Sequence, residues 1–239
     1  VTPHLVKAGY RVLAPDQRGY SRGARPKARS AYTLTKLGND IIAMADHAGA
    51  ERFHVVGHDW GGGVAWELAG NHPERVKTVT SLATPHPRAM IKAVTRSTQG
   101  LKSWYMLFFQ LPMIPEFGFA RMRGRIRKQL VDSGLPEQYA DEYLDLMAEP
   151  GAATGALNWY RGLFAGGAPN GVGQINIPTM YVYGTGDFAL GRKAADLTGD
   201  YVTGPYRYEI LEGTGHWIPE EAPRVTAELV LDFVKSVKA

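Results

Sequence analysis

The sequence predicts an α/β protein: a mostly parallel sheet flanked by helices, with a helical cap inserted before the last strands. Short apolar runs alternate with amphipathic stretches from Arg11 to Leu82. That is the pattern of strand–helix units whose strands are buried on both faces. The alternation breaks after Pro87 and resumes at Thr179. Between them lies a stretch without a convincing strand, rich in aromatics and Met, including Trp104, Tyr105, Phe108, Phe109, Tyr139, Tyr143, Trp159 and Tyr160. The predicted organisation is therefore a sheet domain in two parts, 1–97 and 175–239, interrupted by a helical cap over 98–174.

In order, Thr2 to Lys7 reads as a helix ended by Gly9, and Arg11–Ala14 as a short buried strand closed by Pro15 and Asp16. Gln17 to Pro26 is a Gly- and Arg-rich loop. A helix from Thr33 to Ala48 places Leu37, Ile41 and Ile42 on its apolar side and stops at Gly49. Phe53–Val56 is a strand, Gly63–Asn71 a helix and Val76–Leu82 a strand. Within the cap, Glu137–Met147 is a helix and Leu157–Phe164 another. Strands resume at Thr179–Tyr183 and Arg207–Leu211, and Pro223–Val237 is a closing amphipathic helix.

Hydrophobic residues make up 44% and charged residues 21% of the 239, the proportions of a soluble globular chain. Basic residues number 27 and acidic ones 23, so the net charge of +4 is too mild to point to nucleic acid. The densest basic cluster, Arg121, Arg123, Arg125, Arg127 and Lys128, scatters around a helix and reads as a solvated face. The absence of cysteine excludes a disulfide framework and a thiolate metal site. No apolar run would span a membrane and no signal peptide is visible, so a cytoplasmic location is expected.

Six residues organise the chemistry: Gly57-His58-Asp59-Trp60-Gly61-Gly62. They sit between a strand and a helix, the context of a nucleophile elbow, in which glycines allow a sharp reversal and the apex side chain stands next to a helix N-terminus. The apex is Asp59. A carboxylate is already ionised at neutral pH, so it needs no base to activate it as a nucleophile. It suits displacement at an sp³ carbon, which leaves an alkyl ester to be hydrolysed by activated water. A bare helix cap would explain the Asp but not the flanking glycines and the preceding buried strand.

Hydrolysing such an ester requires a base, an acid to orient it and an oxyanion donor. Gly184-Thr185-Gly186-Asp187-Phe188 follows one predicted strand and Gly213-Thr214-Gly215-His216-Trp217 follows the last. Both loops then lie at strand C-termini, where ligands gather in open parallel sheets. The chain order nucleophile, acid, His is the order of an elbow-based hydrolase.

On these residues, together with Asp16-Gln17-Arg18-Gly19-Tyr20-Ser21, the chain resembles an α/β-hydrolase of the epoxide hydrolase family (soluble type) over essentially its whole length. The resemblance implies Asp59 as nucleophile, His216 as base, Asp187 as its orienting acid and the Trp60 N–H as an oxyanion donor. Haloalkane dehalogenases share most of these motifs. In the cap, Asn158-Trp159-Tyr160-Arg161 is similar to the family motif whose tyrosine binds the epoxide oxygen, and Ser103-Trp104-Tyr105 to the segment carrying a second such tyrosine. The implied activity is addition of water to a small hydrophobic epoxide without a cofactor, giving a vicinal diol. A dehalogenase using the same Asp, or a catalytically impaired relative that keeps the fold as a binding module, are the alternatives. A homodimer is left open.

Family members of this kind begin with further strands and an H-G-x-P loop that supplies another oxyanion donor. Here Val1 opens inside what reads as a helix, and no such loop precedes Arg11. The chain is therefore expected to be an N-terminally truncated member, marginally stable and less active. In the family's sheet a third strand separates those matching Arg11–Ala14 and Phe53–Val56. Without it, these two would pair directly, drift apart or have the gap filled by something else.

Overall fold

Four strands rich in β-branched and aromatic residues, each followed by a turn, build the sheet: β1 (Phe53–His58), β2 (Val76–Leu82), β3 (Thr179–Gly184) and β4 (Tyr206–Leu211). Their order is β1-β2-β3-β4 and every neighbouring pair is parallel. The computed structural model describes residues 1–165 and 171–237. Helices α1 (Thr2–Lys7) and α2 (Leu34–His47) precede β1, and α3 (Trp60–Asn71) connects β1 to β2.

From Pro87 to Gly162 the regular structure is helical: α4 (Pro87–Val94), α5 (Gln99–Lys102), α6 (Trp104–Phe108), α7 (Ile114–Arg121), α8 (Arg123–Asp132), α9 (Glu137–Ala148) and α10 (Ala152–Gly162). Residues 166–170, inside the cap segment expected over 98–174, lie outside the described residues. After β3 come α11 (Arg192–Asp196), then β4, α12 (Ile218–Glu221) and α13 (Pro223–Ser236).

Strand alternation divides the core. Tyr181 and Tyr183 of β3 pack with Ala65, Trp66 and Ala69 of α3 on one face. Met180 and Val182, one residue out of phase, pack with Val230, Phe233 and Val234 of α13 on the other. A third cluster joins Leu37 of α2 and Val64 and Leu68 of α3 to Trp159 of α10, so the cap shares its core with the sheet domain. Fully burying a side chain such as Leu68 or Trp159 contributes roughly 1.5–3 kcal/mol or more each.

One expectation needs correction. Arg11–Ala14 is extended but forms no ladder, and Leu13 is 57% exposed rather than buried. A strand exists only where neighbouring backbone accepts its hydrogen bonds. Here a cleft of about 370 Å³, lined by Leu13, Pro15, Met44, Val55 and Val56 among others, separates this segment from β1. The basic cluster lies on an exposed face, as expected, and its surface ion pairs, Arg123 with Asp145 and Arg127 with Glu137 and Asp141, tie α8 to α9. Among the described residues no helix is long and apolar enough to cross a membrane, and no cluster of three or more His, Cys, Asp or Glu is arranged to hold a metal ion.

Candidate active site

The elbow is as tight as its glycines suggest. A Cβ on Gly57 would run into the Gly61 carbonyl, and one on Gly62 would come within 2.7 Å of the Thr84 Cβ and 2.8 Å of the Ser81 Oγ. Asp59 itself sits at φ 50°, ψ −122°. A non-glycine residue there stores on the order of 1–3 kcal/mol of strain, sustained only because the surroundings over-determine it. Three donors fix its carbonyl: Gly62 N at 2.9 Å, Gly63 N at 3.2 Å and Thr84 Oγ1 at 2.7 Å. The carboxylate makes no capping hydrogen bond to α3. The Asp59 side chain is 44% accessible, so its carboxylate is open to a substrate.

The two loops after β3 and β4 are knitted together, Gly186 N donating to Thr214 O at 2.9 Å and Thr185 N to Leu211 O at 3.1 Å. That brings His216 Nδ1 to 2.9 Å from Asp187 Oδ2, while its Nε2 lies 3.4 Å from Asp59 Oδ1. The other Asp187 oxygen accepts from the N–H groups of Ala189 and Leu190, at 2.7 and 2.8 Å. Burial alone would lower the His216 pKa, but the flanking carboxylates of Asp187 and Asp59 outweigh it and raise it to about 10. For Asp59, burial pushes upward, yet His216, His58 and the Trp60 N–H together hold its carboxyl below the usual aspartate value. At neutral pH the site therefore rests as an imidazolium between two carboxylates.

This charge state makes a stability prediction. A pKa raised by folding adds stability that is complete below the unfolded value near 6.5 and is lost as pH rises through the folded value of about 10. The stability difference between the native chain and His216→Gln, measured by urea unfolding, is expected to narrow steadily from neutral to alkaline pH. A gap that stays constant over that range would mean a neutral folded imidazole.

Tyr105 on α6 and Tyr160 on α10 come together from the cap, their rings 5.9 Å apart and near-perpendicular. Tyr160 also packs edge-on against Trp60 at 4.8 Å. Its neighbours in sequence hold the helix. Trp159 Nε1 donates to Arg18 O at 2.8 Å, and buried Arg161 donates to Phe109 O at 2.8 Å and pairs with Glu116 at 2.6 Å. Burial raises the pKa of both phenols and the Asp59 charge raises them further, so both remain protonated donors.

Three residues here were given no role from the sequence, although Tyr20 and His58 stand within two of its motifs. Tyr20, placed in a loop, is a third phenol raised by burial and by Asp59, with its ring 5.9 Å from Trp159. His58 Nε2 donates to the His216 carbonyl at 2.8 Å. Gln99, only 2% exposed, donates to Ala189 O at 2.8 Å and accepts from Gly191 N at 2.7 Å, bracing the loop that carries Asp187. Nothing in the local sequence marks Gln99, whose partners are about ninety residues away.

Comparison with known proteins agrees with this architecture. The family profile described as alpha/beta hydrolase fold matches residues 1–223. The chain is 37% identical to the AB hydrolase superfamily protein YfhM of Bacillus subtilis, over 97% of this chain and 83% of that protein. It is 33% identical to epoxide hydrolase A of Mycobacterium tuberculosis, over 99% of this chain and 85% of the other. Its fold superposes on the crystal structure of epoxide hydrolase A from Mycobacterium thermoresistibile with a TM-score of 0.81 at 29% identity, covering 99% of this chain and 86% of that one. The chain belongs to the α/β-hydrolase fold family, in its epoxide hydrolase-like branch.

Proposed function

We propose that the chain hydrolyses a small hydrophobic epoxide to a vicinal diol through an ester on Asp59. The observation that carries this reading is the placement of two phenols from the cap segment, Tyr105 and Tyr160, with rings 5.9 Å apart and Tyr160 packed at 4.8 Å on Trp60, the residue next to Asp59. Burial and the Asp59 charge favour their protonated form. An Asp59 oxygen attacks an epoxide carbon, the C–O bond breaks, and the departing oxygen takes its proton from a phenol. Phenols stabilise an alkoxide and are more acidic than the alcohol formed. A halide leaving group would have no use for that proton.

The resting charge state accounts for the second step. Once Asp59 is an ester its negative charge is gone, and His216 loses one of the two carboxylates that raise its pKa. The imidazolium can then release its proton and restore the phenol. Neutral His216, oriented by Asp187, takes a proton from water as that water attacks the ester carbonyl. The oxyanion forms beside the Trp60 N–H, and its collapse breaks the ester C–O bond. The departing alkoxide takes the proton of the newly formed carboxyl, which frees the diol, restores the Asp59 carboxylate and leaves His216 as the imidazolium.

A single-turnover reaction in heavy-oxygen water tests the reading. The first diol released is expected to carry no label, because its new oxygen comes from Asp59, and the label should enter the enzyme. Full label in first-turnover diol would mean direct attack by water. Turnover of a haloalkane in place of any epoxide would favour the dehalogenase alternative.

A further inference from the structure

We infer that Glu221, the last residue of α12, is a positioning residue that sets the imidazole of His216 for the hydrolytic step. Its carboxylate spans the backbone on both sides of the histidine: Oε2 accepts from Gly215 N at 2.8 Å and Oε1 accepts from Trp217 N at 3.0 Å. The His216 carbonyl between them accepts from His58 Nε2 at 2.8 Å and Ile218 N at 2.9 Å, and the Trp217 carbonyl accepts from the backbone N–H of Glu221 itself at 2.7 Å. The histidine thus sits in a backbone segment whose flanking amides share one side chain. Among the described residues these two amides are the hydrogen-bond donors to the Glu221 carboxylate, and no cationic side chain forms a salt bridge with it.

Two glycines mark how closely the clamp fits. A Cβ on Gly215 would lie 2.7 Å from the Glu221 Oε1, and one on Gly134, in the turn between α8 and α9, would lie 3.1 Å from it. Trp217 reaches the same turn, its Nε1 donating to Ser133 Oγ at 2.9 Å. Hydrogen bonds from amides to an ionised acceptor are about twice as strong as neutral ones. A carboxylate can accept both N–H groups at once, whereas an amide side chain offers one oxygen and must turn its NH₂ toward a second donor. Glu221→Gln is therefore a nearly isosteric change that breaks half of the clamp.

The inference rests on the reading that His216 is the base of ester hydrolysis, and its test separates the two. In Glu221→Gln, hydrolysis of the ester is expected to slow by ~10- to 10²-fold, the scale of a misplaced catalytic group. Alkylation, which does not use His216 as a base, should keep its rate. Glu221→Asp, charged but one methylene short, should fall between Gln and the native chain. Independently of turnover, the downfield proton resonance of His216 Nδ1–H should shift or broaden in both variants, with cooperative unfolding retained. If the native chain forms no ester, the hydrolase reading fails, and the resonance alone decides the positioning role. An unchanged resonance, equal slowing of both steps, or loss of folding in both variants would make Glu221 merely structural and overturn the inference.

Discussion

His216→Gln is expected to accept an epoxide and then stop. Asp59 needs no base to attack, whereas the ester it forms needs an activated water, and a positioned general base supplies roughly 10²–10⁴-fold of that step. Intact-mass spectrometry should find the variant heavier by one substrate, with diol formation suppressed by about that factor. The pH dependence should change as well. His216 is foremost among the groups that hold the Asp59 carboxyl down against its burial. Without the imidazolium, alkylation should therefore lose its activity at a higher pH on the acid side than in the native chain. A variant that neither gains mass nor turns over would place His216 in the first step and contradict the mechanism proposed here.

Tyr160→Phe should slow alkylation by ~10²–10³-fold, the usual cost of removing one donor to a developing oxyanion. The substitution is informative because packing is retained: the ring stays edge-on to Trp60 at 4.8 Å and near Phe109, also at 4.8 Å. Only the hydroxyl is lost. Tyr105→Phe should act in the same direction, since its phenol feels the same Asp59 charge. Stopped-flow measurement of the alkylation step, where steady-state turnover could hide behind ester hydrolysis, is the appropriate check. Unaltered rates in both variants would reduce the tyrosines to cap packing and turn attention to halide substrates.

Much of this site was legible in the chain because its determinants are local. Gly57 and Gly62 stand where any Cβ would collide, and Asp59 takes a backbone conformation that the turn imposes. The Gly184–Asp187 and Gly213–His216 loops each follow a strand recognisable from its own apolar run, and because those strands are parallel both loops lie at the C-terminal end of the sheet. The helices from Thr2, Leu34 and Pro223 began and ended within a residue or two of their capping and breaking signals.

What the tertiary structure alone decided was set by groups distant in sequence. Arg11–Ala14 has the composition of a strand, but pairing requires an adjacent backbone, and a cleft lies there instead. The cationic face of α8 met acids of α9 that its own periodicity could not announce. The charge on His216 sums the fields of Asp59 and Asp187, 157 and 29 positions back along the chain, against its own burial. Gln99 and Glu221 carry no motif, because a side chain that braces a loop is defined by the amides it reaches rather than by its neighbours in sequence. Sequence thus determined which residues stand at the strand ends, through turn sterics and hydrophobic periodicity. Tertiary packing determined their protonation and the strands they pair with, since Coulomb interactions and backbone hydrogen bonds depend on distance in space.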